Sequence, residues 1–340
     1  MLDKCEIRKI CDMYGISIDE ISDVIDSSRS DVDVRLAYII NKQFVLHCYT
    51  SECINETFVD DIDRLEKRYK QIGVWVPTLQ VVKESNNYLS LIKVNNIQYR
   101  CFIEELAPFQ FLDENKVDLY EFKLKMLPHL GKLANKYKNI DLSKTYSMWS
   151  IINLSPFDTQ VDEKQENIDL LCSVLEDEDL VNSIKLLNDK ARKNIEIYLD
   201  RLPKCVFQGD LNPSNILTDE DSNFKGIIDF NMFGTEVCIN CFLNESMYYI
   251  EENDFNIYTI VELFDKITTE QNNLMKVILN EYKLNKEEIL TYNDYKFIIF
   301  IGFYPNVMLW IDLVKKGKKD KVYKLLKLIC NQYKSNWKYL

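Results

Sequence analysis

From about Leu112 onward the chain reads as one helical stretch after another, and that run is broken once, by two short strand-like segments, "NILT" and "FKGIIDF", joined by the acidic turn "DEDSN". A hairpin alone among helices constrains the fold more than any other feature. Its strands must pair with each other, so the residues at its open end, Asn215 and Asp229, return to the same place. Asp210 stands just upstream in "VFQGDLNPSNIL", a loop punctuated by Gly and Pro. Carboxylates at both ends of an isolated hairpin point to chemistry rather than packing.

The first hundred or so residues carry a different pattern. Residues 1 to 26 are expected to be helical, with Ile7, Ile10 and Met13, then Ile18, Ile21, Val24 and Ile25, at mixed three and four spacing. "VRLAYII" and "FVLHCYT" read as strands around the polar turn "NKQ". A helix follows, with Phe58, Ile62, Leu65, Tyr69 and Ile72 on one face and Gly73 closing it. "PTLQVV", "YLSLIKV" and "QYRCFIEEL" read as three more strands. The expected class is therefore α+β. A small antiparallel lobe with one prominent helix spans residues 1–106, and a larger, mainly helical lobe spans 107–340. No repeat and no Gly- or Pro-rich linker separates them, so they are lobes rather than independent domains.

Charge and composition narrow the partners. The chain has 42 basic and 54 acidic side chains in 340 residues, a formal charge of −12, which argues against nucleic acid, whose phosphates need a basic surface. Residues 315–340 hold nine lysines against one aspartate, so the first 314 residues carry 33 basic and 53 acidic side chains, a formal −20. An acidic body favours cationic small molecules through its summed field, and the same imbalance also serves solubility. The basic tail reads either as a solvated helix face or as an anion-binding helix. No run approaches the roughly 18 to 20 apolar residues of a membrane span, and the N-terminus lacks a signal peptide's apolar core, so a cytoplasmic location is expected. Ten scattered cysteines suit reduced, buried thiols. Cys238 and Cys241 form a C-x-x-C pair without two further zinc ligands at suitable spacing, the only histidines being His47 and His129.

The spacing D-x-x-x-x-N is met by Asp210 and Asn215, and an Asp-Phe pair by Asp229 and Phe230. One carboxylate and one amide oxygen at the hairpin mouth suit Mg²⁺, which takes few protein ligands and completes its shell with phosphate and water. Asp210, upstream of that pair, is placed to accept a proton from an incoming hydroxyl. This is the arrangement of protein kinases: a catalytic-loop Asp, an Asn five positions on, and a metal-binding Asp before Phe. "GDLNPSNIL" followed by "GIIDF" resembles the aminoglycoside phosphotransferase (phosphotransferase enzyme) family of kinase-like proteins that phosphorylate small molecules, with spore-coat and sugar-kinase relatives. The resemblance spans most of the chain and is carried chiefly by residues 206–245.

The resemblance implies a protein-kinase-like fold, ATP and Mg²⁺ as cofactors, and a small-molecule hydroxyl as acceptor. It implies Asp210 as catalytic base and Asn215 and Asp229 as magnesium ligands. It sets "CFIEELAPF" between the lobes, with backbone near Glu104 and Glu105 meeting adenine, and "DSSRSD", with Ser28, over the phosphates. That loop has no glycine; it is either an anion cradle or an ordinary polar turn. His47 stands where relatives usually have Lys or Arg, as a phosphate ligand or as a strand residue satisfied locally, and its acidic partner is sought at Asp61 or Asp63. Gln208 replaces the usual His before Gly-Asp, and Asn231 replaces the Gly after Asp-Phe. Glu236 and Asn240 lie near where the family has an Asp that steadies the loop. These departures leave a second reading, a kinase-fold protein that holds nucleotide or ligand without turnover, and a third, a structural role resting on family analogy alone.

Overall fold

The computed structural model describes residues 2–30, 32–156 and 158–335. In chain order the elements are α1 (Lys4–Tyr14), β1 (Ile21–Asp26), β2 (Arg35–Ile40), β3 (Phe44–Tyr49), α2 (Glu56–Lys70), β4 (Ser90–Val94), β5 (Ile97–Glu105) and β6 (Gln110–Phe111). There follow α3 (Leu119–Met126), α4 (Pro128–Tyr137), α5 (Glu163–Val174), α6 (Glu178–Tyr198), β7 (Lys204–Phe207), β8 (Ile216–Thr218), β9 (Phe224–Ile227) and β10 (Gly234–Val237). The chain ends in α7 (Cys238–Glu245), α8 (Asp254–Ile257), α9 (Ile260–Leu279), α10 (Lys286–Gly302), α11 (Tyr304–Lys315) and α12 (Lys319–Lys334).

These elements form two compact units, one made of residues 1–112 and 212–228 and the other of 113–211 and 229–340. The first unit holds a five-stranded antiparallel sheet in the order β1-β2-β3-β5-β4. One of its faces is covered by α1, whose Ile10 and Cys11 are fully buried with Ile40, Leu46, Cys48, Cys101 and Ile103. The hairpin sits in this unit because β8 pairs with β9 on one side and with β6 on the other. Gly226 also abuts residue 75: Trp75 N–H donates to Lys225 O at 3.0 Å and Ile227 N–H to Trp75 O at 3.0 Å. A Cβ on Gly226 would lie 2.2 Å from Trp75 O, so only glycine permits this approach.

Two expectations are corrected here. The N-terminal helix stops at Tyr14, and residues 21–26, expected to continue it, form the edge strand β1 against β2. Gly15 breaks the helical run, and the edge position tolerates exposed Val24 and Ile25. "PTLQVV" forms no strand; it contributes only a single bridge, Leu79 to Glu104.

The second unit is mainly helical, with one two-stranded sheet, β7 against β10. Helix α10 runs through its core, and residues 294 to 302 on it are all buried. The apparent single helix of "VDLYEFKLKMLPHLGKLANKYKN" divides at Pro128, which opens α4 as its first residue. Among the described residues no single helix is long and apolar enough to cross a membrane.

Candidate functional site

Within the second unit the loop after β7 is built around Gln208, whose side chain is fully buried. Its amide Nε2 donates to Asp229 O at 2.6 Å, and its Oε1 accepts from Asp210 N–H at 2.7 Å. One side chain thus uses both ends to fix the backbone of two residues that lie nineteen positions apart in sequence. Gly209 between them takes φ +84, and a Cβ there would lie 2.3 Å from Met232 O. Asp229 itself takes the left-handed conformation, at φ 56, whereas Asn231, which stands in place of the usual Gly, does not. Asp229 stabilises it locally, Oδ1 accepting from Asn231 N–H at 3.2 Å. Asn231 therefore needs no glycine-like freedom, and Phe230 and Phe233 bury their rings on either side.

Behind this loop, Glu236 on β10 lies opposite Cys205 on β7. It is buried, and its carboxylate accepts from Ser147 Oγ at 2.7 Å and from Val237 N–H at 2.7 Å. Burial pushes its pKa up to about 7 against the opposing pull of these hydrogen bonds. Asn240 donates to Trp149 O at 2.8 Å. Glu236 and Asn240 thus tie down the 147–149 segment. Ahead of the loop, Lys123 is buried, donates to Glu245 O and Met247 O at 3.2 and 3.4 Å, and lies 4.7 Å from the Tyr249 ring centroid. Burial takes its pKa down to about 8. Burial also lifts the Glu245 carboxyl to about 7, with the Lys123 charge opposing and the Asp210 charge adding. The Tyr249 hydroxyl is raised by burial and by the charges of Glu245 and Asp210 among others. Glu245 and Tyr249 therefore lie within electrostatic reach of Asp210.

In the first unit Asn215 ends a 3-10 turn, Pro213–Asn215, capped by Asn212. Its N–H donates to Asn212 O and its carbonyl accepts from Ile228 N–H, both at 2.9 Å. Asn215 is thus hydrogen-bonded to the residue that precedes Asp229 in the chain, as the hairpin argument requires.

His47 on β3 is the centre of a second cluster. Its ring stacks on Phe102 at 4.7 Å between centroids, its Nε2 lies 3.0 Å from Glu104 Oε1, and its Nδ1 lies 3.4 Å from the Tyr49 hydroxyl. The acid beside His47 is therefore Glu104, from the neighbouring strand. Asp61 pairs with Arg64 at 2.9 Å and Asp63 with Lys67 at 2.6 Å, at i+3 and i+4 along the helix. The buried acid of α2 is Glu66, 1% exposed, with Oε1 lacking a hydrogen-bond partner. Burial and then the Glu104 charge raise its pKa well above the ordinary carboxylate value. Glu66 was legible in principle: it follows Leu65 and precedes Tyr69 by three, placing it on the edge of the apolar face.

The remaining expected nucleotide contacts are occupied locally. Glu105 N–H donates to Thr78 O at 3.1 Å, and its carboxylate accepts from Thr78 Oγ1 at 3.1 Å. Ser28 N–H donates to Asp26 Oδ1 and its hydroxyl accepts from Arg35 N–H, both at 3.0 Å. Ser27 and Arg29 N–H likewise donate to Arg35 O and Asp33 O. The 26–30 segment spends these amides on closing its own turn, and Asp31 lies outside the described residues.

No protein-family model matches the sequence, and no curated protein matches it. Solved structures do match the fold. An amicoumacin kinase in complex with AMP-PNP and Ca²⁺ superposes with a TM-score of 0.52 at 13% identity, over 99% of this chain and 94% of that one. A microcompartment-associated aminopropanol kinase superposes with a TM-score of 0.51 at 11% identity, over 98% of each chain. The chain thus has the protein-kinase-like α+β fold shared by these small-molecule kinases.

Proposed function

We propose that this protein is a phosphotransferase that uses ATP and Mg²⁺ to phosphorylate a hydroxyl of a small, positively charged molecule. The observation that carries the reading is the Gln208 amide, which locks the backbones of Asp210 and Asp229 together at 2.7 and 2.6 Å. A chance D-x-x-x-x-N loop has no reason to be bolted to a second, distant aspartate.

Asp210 acts as the base: its carboxylate takes the acceptor's hydroxyl proton as that oxygen bonds to the γ-phosphorus and the bond to the β-phosphate oxygen breaks, giving a phosphate ester and ADP. The Asp229 carboxylate and the Asn215 amide oxygen are hard oxygen donors of the kind Mg²⁺ takes, and would hold the ion. When bound there, the ion offsets the triphosphate's charge. Gln208 keeps both aspartates in register, so catalysis is mostly positioning. Nucleotide would meet the backbone near Glu104 and Glu105 and His47 only as the local contacts of these residues, Glu105 N–H to Thr78 O and His47 to Glu104, give way to it. The acidic balance of the first 314 residues, together with Glu245 close to Asp210, supports a cationic acceptor.

A second reading, a protein that holds nucleotide without turnover, is favoured by one observation: His47 is engaged with Glu104, and no lysine stands in its place. ATP consumption measured against amino alcohols, amino sugars, aminoglycosides and nucleosides separates the two. Asp210→Asn should keep nucleotide binding and lower turnover at least about a thousandfold, roughly 4 kcal/mol of transition-state stabilisation. Near-unchanged turnover in that variant removes Asp210 from the base role. Nucleotide binding with no acceptor-dependent consumption in the wild type establishes the second reading.

A further inference from the structure

The second unit carries a cavity of about 420 Å³ among α6, α10 and α12, elements other than those that hold Asp210 and Asp229. Lys190 and Lys193 project from one face of α6, and Lys334 approaches from α12. Four lysines of the basic C-terminal stretch pair with acids: Lys316 and Lys318 with Glu252, Lys319 with Glu176, and Lys327 with Asp177, whereas Lys321 donates to Phe255 O. Around the cavity the three ammonium groups have no such partners among the described residues. Lys334 reaches only the Ser183 hydroxyl at 3.1 Å, and Lys190 lies 5.9 Å from the Tyr333 ring centroid.

The one carboxylate lining the cavity, Asp294, is already committed. It is buried, and its two oxygens accept from the Tyr333 hydroxyl and from Asn194 Nδ2. Its neighbour Asn293 also lines the cavity, and its Oδ1, shielded from solvent, has no hydrogen-bond partner. Ile197 and Leu290, 65% and 46% exposed, form an apolar rim. Three ammonium groups without an ion pair, of which only Lys190 acts on a carboxylate of the cavity, Asp294, call for a compact polyanion. The orphan acceptor calls for a hydroxyl beside it, and the rim suits the C–H face of a sugar.

We infer that this cavity is a second ligand site, for a phosphate ester of a polyhydroxylated small molecule, independent of the phosphotransfer reading. The test is calorimetric titration of the full chain with glucose 6-phosphate and, separately, with inorganic phosphate. Lys190→Glu with Lys193→Glu should raise the glucose 6-phosphate dissociation constant at least tenfold and leave the ATP isotherm unchanged. The same charge change at Lys315 and Lys324, outside the cavity, should alter it less than twofold. Asn293→Leu should weaken glucose 6-phosphate about fivefold, the worth of one hydrogen bond, and leave inorganic phosphate untouched. The inference is overturned by absence of saturable sugar phosphate binding in the wild type, by full binding in the Lys190/Lys193 variant, or by equal loss in the Lys315/Lys324 control. Equal weakening of both probes by Asn293→Leu overturns the assignment of a hydroxyl to Asn293.

Discussion

At the scale of single residues, the side chains that organise the chemistry are not all those that would perform it. Gln208 stands where a His is usual, yet a neutral amide offers one acceptor and one donor, which is what Asp210 N–H and Asp229 O require. Gln208→Ala leaves both groups buried and unpaired, so it should cost about 2–4 kcal/mol in urea unfolding and lower turnover at least about tenfold. Gln208→Glu keeps the acceptor and loses the donor, and should fall between the two. Equal stability of all three proteins would make the bridge ornamental. Glu66 behaves differently, because it is a buried acid with one oxygen unpartnered. Its folded pKa lies well above the usual value, so folding takes up a proton. Its contribution is most favourable below the unfolded pKa and falls as pH rises toward the folded one. Stability should therefore decline from pH 5 to pH 8, and Glu66→Gln should flatten that decline, gaining most at pH 8. A parallel decline in both proteins would trace it to other groups. The role of Gln208 was not legible in sequence, and Glu66 was legible only as a residue on the edge of the apolar face of α2. Spacing marked Asp210, Asn215 and Asp229, whereas pairing His47 with Glu104 needs the register of β3 on β5, which puts His47 opposite Phe102 and two residue pairs from Glu104, on the same face of the sheet.

At the scale of elements, the hairpin β8–β9 was readable because turn and strand chemistry are written in adjacent residues, "DEDSN" between two apolar runs. Its companions were not. β6 is two residues long, and the contact of Gly226 with Trp75 joins segments some 150 positions apart. That contact nonetheless joins the β6–β8 pairing in seating the hairpin in the first unit. Gly226→Ala drives a methyl into Trp75 O and must part the two backbones, at roughly 2 kcal/mol. The Trp75 and Ile227 amides should then exchange with solvent about thirtyfold faster, while amides in the β2–β3–β5 core of the larger sheet keep their protection. Unaltered exchange at Trp75 and Ile227 would mean the bridge contributes nothing. The misread of residues 21–26 has the same origin: Ile18, Ile21, Val24 and Ile25 fit a helical period as well as an edge strand, and only β2 alongside decides between them.

At the scale of the whole molecule, ligand binding should register on stability without any acceptor being known. On the proposed function, Mg²⁺ with ATP would bind the folded protein and not the unfolded chain, so at a hundredfold excess over the dissociation constant apparent stability should rise by about 2.7 kcal/mol. In a chain of this length that is a thermal shift of a few degrees. Asp229→Ala should abolish the magnesium-dependent part of the shift and leave the ligand-free melting temperature nearly unchanged. Absence of ATP binding by the wild type with or without Mg²⁺ would defeat both readings of function. The sequence by itself determined the α+β class, the order of strands before helices, and the candidate triad, because hydrophobic period, turn chemistry and loop spacing act over a few residues. Only the tertiary structure decided that the hairpin packs with the first unit, that His47 meets Glu104, that Glu66 is sealed in, and that Gln208 joins Asp210 to Asp229. Each of these depends on contacts between residues far apart in the chain, made by register and close packing, which no local pattern encodes.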